Sequence, residues 1–141
     1  MKKLTSLTWL FALSLVLFSC AKDGGQIGPD APPDTIPEIV GTYVLNGTDH
    51  LGNDYGGHLT ISAGEHPSEY QLQWIIIESV QEGSGILEGN QLKADWHSID
   101  PSTEPYQGTV TYTITVNGEL YGIRTVEGRD GKGKETAYPN Q

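Results

Sequence analysis

The sequence predicts an all-β domain over residues 39–141, and within that class a small antiparallel up-and-down barrel of about eight strands. Short runs that alternate apolar and polar residues recur along this region, and glycine-containing turns separate them. No window repeats apolar residues at the spacing of an amphipathic helix. The short connections favour pairing between sequence neighbours. A β-sandwich is the alternative, but it needs long crossovers, and 97–107 is the only long gap between predicted strands.

The eight strands differ in how clearly the sequence marks them. Period-two alternation, which places one face on a core and the other in water, is clear in the second, third, fifth and sixth. The first is apolar on both faces, the fourth is rich in glycine, the seventh mixes its faces and the eighth is short. Asn117-Gly118 predicts a two-residue turn with positive φ. In chain order the predicted strands are 39–45, 55–62, 70–76, 83–88, 92–97, 109–116, 120–126 and 132–138.

Large side chains account for most of the expected barrel interior. An eight-stranded barrel is just wide enough to be filled by side chains or to hold one small ligand. Because each aromatic side chain buries roughly 150–250 Å2, we expect a mostly filled barrel with at most a shallow pocket at one mouth. Trp74, Trp96 and Tyr43 are the candidate ligand-binding residues of that pocket. The predicted inward set is Tyr43, Leu45, Leu59, Ile61, Tyr70, Leu72, Trp74, Ile76, Leu92, Trp96, Val110, Tyr112 and Ile114.

One charged residue falls on the expected inner face. Counting in steps of two from Leu120 and Gly122 points Arg124 inward, where an unpaired charge would be very costly. We therefore hypothesise that Arg124 pairs with Glu135 on the last strand. The alternative is a bulge in the seventh strand that turns Arg124 out to solvent.

The amino terminus has the layout of an export signal. Lys2 and Lys3 precede a short apolar stretch at 4–18, and Cys20, the only cysteine of the chain, follows that stretch after one serine. The sequence Leu-x-Ser-Cys at 17–20 resembles the lipobox of bacterial lipoproteins. The resemblance implies a signal peptide at 1–19 and a diacylglycerol on the sulfur of Cys20. It also implies a cell-envelope protein held to a membrane by lipid. The outer membrane is the expected location, with its periplasmic or surface side left open.

Residues 20–38 are predicted to form a flexible tether between the lipid and the domain. Within 21–38 there are four prolines, three glycines and four acidic residues, a composition that buries too little apolar surface to fold alone. Asp34-Thr35-Ile36 resembles a bacterial O-glycosylation signal of the Asp-Ser/Thr-aliphatic type, with Thr35 as the candidate acceptor. The alternative is that these are three ordinary linker residues.

Composition argues against several classes of function. A formal net charge of −10 disfavours binding to nucleic acid, which would repel the chain. His50, Asp49 and Asp54 share one loop near His58, but their spacing matches no zinc motif, so no metal site is predicted. No nucleophile–base–acid set and no carboxylate pair at a defined separation can be identified. We therefore predict no enzymatic activity and no cofactor.

A second resemblance concerns the domain itself. Gly41-Thr42-Tyr43 near its start and the Gly-x-Leu-x-Gly run at 118–122 are similar to the calycin style of barrel, whose members include avidins and lipocalins. Residues 55–61, 70–74 and 83–85 also resemble small uncharacterised exported bacterial β-proteins. Lipocalins begin with Gly-x-Trp, where this chain has Tyr43, so the resemblance implies the fold and no particular ligand.

These features lead to two main hypotheses of function. The first is a membrane-anchored envelope lipoprotein whose barrel is a non-enzymatic binding or protein-interaction module, with another envelope protein as its partner. The second is a calycin-type binder of a small ligand at one barrel mouth, near Trp74 or Trp96. An envelope hydrolase is a third alternative, without a catalytic constellation to support it.

Overall fold

The computed structural model describes residues 25–77, 79–100 and 106–140. Eight antiparallel strands form a closed barrel, in which each strand pairs with its sequence neighbour and β8 pairs with β1. This confirms the predicted up-and-down barrel and excludes the sandwich. Among the described residues no helix has the length and apolarity to cross a membrane. The strands are β1 (Gly41–Thr48), β2 (Asp54–Ala63), β3 (Glu69–Ile76), β4 (Ser79–Glu88), β5 (Gln91–Ser98), β6 (Gln107–Ile114), β7 (Leu120–Val126) and β8 (Gly133–Pro139).

The interior follows the period-two pattern of the sequence. All residues of the predicted inward set are buried except Tyr70 and Ile76, which are partly buried and pack against the core. Ile39, Ala94, Leu120 and Ala137 are also buried in the core, although they are not in the predicted inward set. Trp74 is wholly buried, and its indole N–H donates a hydrogen bond of 3.0 Å to the hydroxyl of Tyr112. Aromatic side chains therefore fill most of the barrel, as expected.

A glycine on β6 makes room for the indole of Trp96. Trp96 is opposite Gly83 on β4 and opposite Gly108 on β6. A Cβ added at Gly108 would lie 2.9 Å from Nε1 of Trp96 and 2.0 Å from the carbonyl oxygen of Thr125. Only a residue without a side chain fits at that distance, so this glycine fixes the position of the ring.

The turn between β6 and β7 differs from the predicted one. Thr115 and Glu119 flank a three-residue loop, since the N–H of Thr115 bonds to the carbonyl of Glu119 and the N–H of Gly118 to the carbonyl of Thr115. Gly118 has a φ of +79°, whereas Asn117 does not have positive φ. This is the three-residue hairpin in which one glycine takes the left-handed position. The two-residue turn expected from Asn117-Gly118 is therefore wrong.

The chain before β1 covers one end of the barrel. We call this the closed end; it also holds the β2–β3, β4–β5 and β6–β7 turns. The backbone N–H of Ala31 donates to the carbonyl of Ile114, and Asn90 donates from its side chain to the carbonyl of Ala31. Ala31 and Ile39 are 2 % and 1 % exposed. The segment thus adds apolar side chains beneath the core and satisfies backbone groups beyond the end of β6.

The described part of 20–38 is bonded to the barrel, so the free tether that composition suggested for this segment is wrong there. From Gly25 onward the segment is joined to the barrel by further bonds, from Tyr138 to the carbonyl of Gly25 and from Tyr121 to Asp30. Its prolines fit such an extended path, because they fix φ and have no N–H to satisfy. The signal peptide and Cys20 lie outside the described residues.

Candidate functional site

The end of the barrel opposite the closed end contains a cavity of about 230 Å3. We call this end the mouth; the β1–β2, β3–β4, β5–β6 and β7–β8 connections lie around it. Inner-face residues near the strand ends line the cavity, together with residues of the adjoining loops. The lining residues are Thr48, Asp49, His50, Tyr55, Ile76, Gln81, Trp96, Tyr106, Arg124, Val126 and Gly133.

An ion pair lies at the inner side of this cavity. The Nη1 atom of Arg124 is 2.6 Å from Oε1 of Glu135, and the two side chains are 7 % and 0 % exposed. Gly122 is directly opposite Glu135 on the neighbouring strand, and Gly133 is opposite Arg124. The structure therefore brings together the two residues that the sequence suggested as a pair, and it turns Arg124 into the barrel.

Two tyrosines complete the surroundings of the Glu135 carboxylate. The hydroxyl of Tyr55 donates to Oε1 and the hydroxyl of Tyr112 donates to Oε2. Burial, followed by the charge of Glu135, raises the pKa of Tyr55 and of Tyr112 well above the ordinary value. Both hydroxyls consequently keep their protons and remain donors to the carboxylate.

The guanidinium of Arg124 is fixed by aromatic and amide contacts. Its Cζ lies 3.9 Å from the centroid of the Trp96 ring and 5.3 Å from that of Trp74. Its Nη2 donates to Oε1 of Gln81, whose amide nitrogen in turn donates to the Ser79 hydroxyl at 3.2 Å. Stacking on an indole is favourable for a cation and is stronger where water is excluded. Arg124 is therefore held in one orientation between Glu135 and the cavity.

The predicted ligand-binding residues occupy three different depths. Trp96 is 3 % exposed, lines the cavity and donates from its indole N–H to the carbonyl of Thr125 at 3.1 Å. Trp74 lies deeper, beside Tyr112 and Arg124. Tyr43 lies toward the closed end, where its hydroxyl donates to the carbonyl of Ile39 at 2.7 Å. The structure thus brings Trp74 and Trp96 together around Arg124 and leaves Tyr43 at the other end.

Two residues of the site had no role assigned from the sequence. Tyr55 is not in the predicted inward set, although a count in steps of two back from Leu59 reaches it, and nothing in the pattern points to its bond with Glu135. Gln81 precedes the predicted fourth strand, which began at residue 83, whereas β4 begins at Ser79. Extending the alternation of Gly83 backward by two residues would have placed Gln81 on the inner face.

Of the remaining candidates, Thr35 is outside this site, whereas Asp49 and His50 line the cavity. Thr35 is exposed in a turn of the closed-end segment, with its hydroxyl 3.4 Å from the Asp34 carboxylate. Asp49, at the cavity edge, accepts hydrogen bonds first from the side-chain amide of Asn53 and then from the backbone N–H groups of Asn53 and Leu51. These bonds shape the β1–β2 loop and lower the pKa of Asp49. Within the described ranges, no group of three or more His, Cys, Asp or Glu side chains is placed to hold a metal ion.

Wider concavities on the outside of the barrel have a different character. One of about 470 Å3 runs across β2 to β5 between exposed polar side chains, among them Thr60, Gln73 and Asp95. The mouth cavity is smaller, but it reaches a buried ion pair. For this reason the mouth cavity is the candidate site.

Comparisons with known proteins identify the architecture only. The sequence matches no family model, and no curated protein matches it significantly. Among solved structures it is similar to EF1p2_mFAP2b bound to DFHBI, with a TM-score of 0.59 and 14 % identity, over 72 % of this chain and 94 % of that one. It is also similar to a redesigned β-barrel, mFAP1, bound to DFHBI, with a TM-score of 0.54, 18 % identity and the same coverage. At these identities the likeness shows a shared fold, a small closed eight-stranded β-barrel.

Proposed function

We propose that the protein is a non-enzymatic binding protein that holds a small molecule in the mouth cavity. The observation that carries this proposal is the position of Arg124, which is only 7 % exposed and yet lines the cavity. Small-molecule sites usually combine apolar walls with a few fixed polar groups. Here Ile76 and Trp96 contribute to the wall, and Arg124 is the fixed polar group.

The energetics of the ion pair support a role beyond stability. Burying two charges costs several kcal/mol, on the order of what their attraction returns, so an apolar pair of similar size would often stabilise the fold as well. A chain that keeps Arg124 and Glu135 beside a cavity gains a preorganised polar surface there. The two solved barrels of this fold are each bound to DFHBI, so such a barrel can accommodate a small molecule. The resemblance to avidins and lipocalins agrees with the proposal.

Native mass spectrometry tests the proposal directly. We would purify the whole chain in mild detergent from the cells that make it and look for a small molecule bound in fixed ratio. The bound mass should be lost from Arg124→Lys and retained in Ile75→Ala, which alters an exposed position on the outer face. If wild-type protein never carries a small molecule, and no extract fraction shifts the NMR signal of the Trp96 indole, the proposal fails.

An interaction module is the second candidate, and a row of outer-face residues favours it. Val44, His58 and Ile75 are neighbours across β1, β2 and β3, and all three are exposed. The two apolar members are 40 % and 50 % exposed. A contact surface would use these side chains as its apolar contacts, since exposed apolar residues that form a contiguous patch are typical of such surfaces. A photo-crosslinking residue at position 75 should capture a partner that the same residue at position 60 does not. Equal capture at both positions would refute this candidate.

We also propose that the protein is a lipoprotein of the cell envelope, attached through Cys20 to the outer membrane. The support is the order of basic, apolar and Leu-x-Ser-Cys segments at the amino terminus. Several acyl chains on one residue would anchor the chain firmly, since each buried methylene contributes about 0.8 kcal/mol. The barrel would then bind its ligand close to the membrane surface.

A further inference from the structure

We propose that the mouth cavity selects neutral carbonyl compounds: molecules that carry a hydrogen-bond acceptor, no net charge and few or no donors. The inference rests on the proposed function, because it names the class of ligand for the same cavity. It follows from which donors and acceptors at the inner side of the cavity are already used and which remain.

The acceptors are in use. Oε1 of Glu135 accepts from Arg124 and Tyr55, and Oε2 accepts from Tyr112. The amide oxygen of Gln81 accepts from Arg124 as well. Glu135 is only 1 % exposed, so a ligand that presents N–H or O–H groups to this region cannot reach the lone pairs that its carboxylate has left, and it would compete with Arg124 for the amide oxygen of Gln81. Since an unpaired buried donor costs about 1–3 kcal/mol, donor-rich ligands are disfavoured.

The donors are in excess, and the excess belongs to Arg124. A guanidinium has five N–H donors, of which the bonds of Arg124 to Glu135 and Gln81 use two and its contact with the Tyr55 hydroxyl uses at most one more. The other nearby donors are committed, because the Tyr55 hydroxyl bonds to Glu135 and the indole N–H of Trp96 bonds to Thr125. The remaining N–H groups of Arg124 therefore lack an acceptor, which a ligand carbonyl oxygen supplies.

The charge of the region is already balanced. Arg124 and Glu135 together are neutral, so an anionic ligand would bring an uncompensated charge to the inner side of the cavity, and a cationic one placed there would do the same. Asp49, which also lines the cavity, adds to the penalty for anions. The formal net charge of −10 on the chain adds to the penalty for anions. A neutral carbonyl oxygen gains a hydrogen bond from a charged donor without this penalty.

The donor edge is also preorganised. Arg124 is stacked on Trp96 at 3.9 Å, bonded to Glu135 at 2.6 Å and bonded to Gln81. Its side chain has therefore lost its conformational freedom before any ligand arrives, and binding does not have to supply that entropy again. A fixed donor selects ligands by the position of their acceptor. Small carbonyl compounds whose oxygen reaches Arg124 when the rest of the molecule fills the cavity are therefore favoured.

Four probes of nearly the same shape separate the possibilities. Acetophenone carries a carbonyl acceptor, α-methylstyrene replaces that oxygen with a methylene, benzoate is an anion, and benzamidinium is a cation with donors only. Binding is followed on the full-length protein in mild detergent, by the shift of the Trp96 indole signal in 15N-tryptophan-labelled protein and with free probe concentrations measured. We expect acetophenone to bind about tenfold more tightly than α-methylstyrene, as one hydrogen bond from a charged donor implies. Benzoate and benzamidinium should bind about tenfold more weakly than acetophenone.

A matched pair of arginine variants locates the effect. Arg124→Lys keeps the charge opposite Glu135 but removes the planar donor edge, and it should reduce the preference for acetophenone over α-methylstyrene to about twofold or less. Arg129→Lys makes the same change at the other arginine, which is exposed, and should leave the preference unaltered. The probe comparison on wild-type protein stands even if the Arg124 variant folds poorly.

The outcomes distinguish the two proposals. If acetophenone and α-methylstyrene bind equally well, the cavity binds small molecules without using Arg124, and the inferred ligand class is wrong while the proposed function stands. If benzoate binds most tightly, the cavity is an anion site and the inference is likewise wrong. If no probe shifts Trp96 and native mass spectrometry finds no bound molecule, both proposals fall.

Discussion

Arg124 on β7 and Glu135 on β8 form an ion pair of 2.6 Å inside the barrel, and the carboxylate of that pair also accepts hydrogen bonds from the hydroxyls of Tyr55 and Tyr112. The pair is not on the surface of the barrel, because its side chains are 7 % and 0 % exposed. The mouth of the barrel is therefore built around a charged group that the fold must keep compensated.

Removing one partner of the pair should be much more harmful than removing both charges. Arg124→Met leaves Glu135 buried with only its tyrosine donors, and we expect it to lower the free energy of unfolding by about 3–5 kcal/mol. Arg124→Met combined with Glu135→Gln removes both charges and should recover a large part of that loss. Urea denaturation of both variants measures the difference.

The surface ion pair of the barrel provides the control. Lys93 and Glu88 are also 2.6 Å apart, but their side chains are 53 % and 63 % exposed, so Lys93→Met should leave the denaturation midpoint nearly unchanged. A stable Arg124→Met variant with an unaltered midpoint would show that the buried pair is not needed to hold the fold.

The glycine beside Trp96 should not tolerate even a methyl group. In Gly108→Ala the new Cβ would lie 2.0 Å from the carbonyl oxygen of Thr125, a backbone atom that cannot move without shifting β7. We expect a loss of roughly 2–4 kcal/mol in thermal or urea unfolding, within the range for strained and overpacked sites. Gly56→Ala is the matched strand control, because its Cβ would have no neighbour closer than 3.6 Å. Equal stability of the two variants would contradict this account of the packing around Trp96.

Period-two alternation explains why so much of the barrel could be predicted. It places Leu92 and Trp96 on the inner face, and a count of two from Leu120 does the same for Arg124. The same argument predicts that a buried Arg124 needs a carboxylate partner, since desolvation of an unpaired charge is so costly. Local pattern and the cost of buried charge are thus enough for the topology and for the pair.

Features that depend on distant backbone contacts could not be predicted. The segment around Ala31 has no period to interpret, and its position depends on a backbone bond to Ile114, more than eighty residues away. The volume of the mouth cavity depends on how side chains pack, which a residue pattern does not determine. The role of Tyr55 depends on the register of β2 and β8 relative to β1.

The docked segment at the closed end can be tested with the same substitution at adjacent positions. Ala31→Asp would place a carboxylate where the side chain is only 2 % exposed, and we expect it to lower the free energy of unfolding by about 2 kcal/mol or more. Pro32→Asp alters the exposed neighbour and should change stability little. Urea denaturation compares the two. If neither has an effect, the segment is the free tether that its composition suggested.

Lipid attachment should depend on the thiol of Cys20. In cells grown with labelled palmitate, wild-type protein should carry label and sediment with membranes, whereas Cys20→Ser should carry none because the thiol that accepts the lipid is gone. Ser19→Ala keeps the cysteine and a small residue before it, so labelling should persist. Label on Cys20→Ser, or unlabelled wild-type protein, would rule out the proposed anchor.

Alkaline pH should destabilise the barrel through its buried tyrosines. Burial, with a smaller contribution from Glu38, raises the pKa of Tyr43 to about 12, and Tyr55 and Tyr112 are also raised, whereas tyrosine in an unfolded chain titrates near pH 10. The native state therefore binds more protons than the unfolded state above about pH 10. The stabilisation is complete below that pH and is lost as pH rises toward 12, at about 1.4 kcal/mol per pH unit for each such tyrosine. Urea midpoints measured across this range should fall. Tyr43→Phe should make the free energy of unfolding less dependent on pH, by the contribution of one tyrosine. A midpoint that stays level to pH 12 would mean that these hydroxyls ionise as readily in the folded barrel as in the unfolded chain.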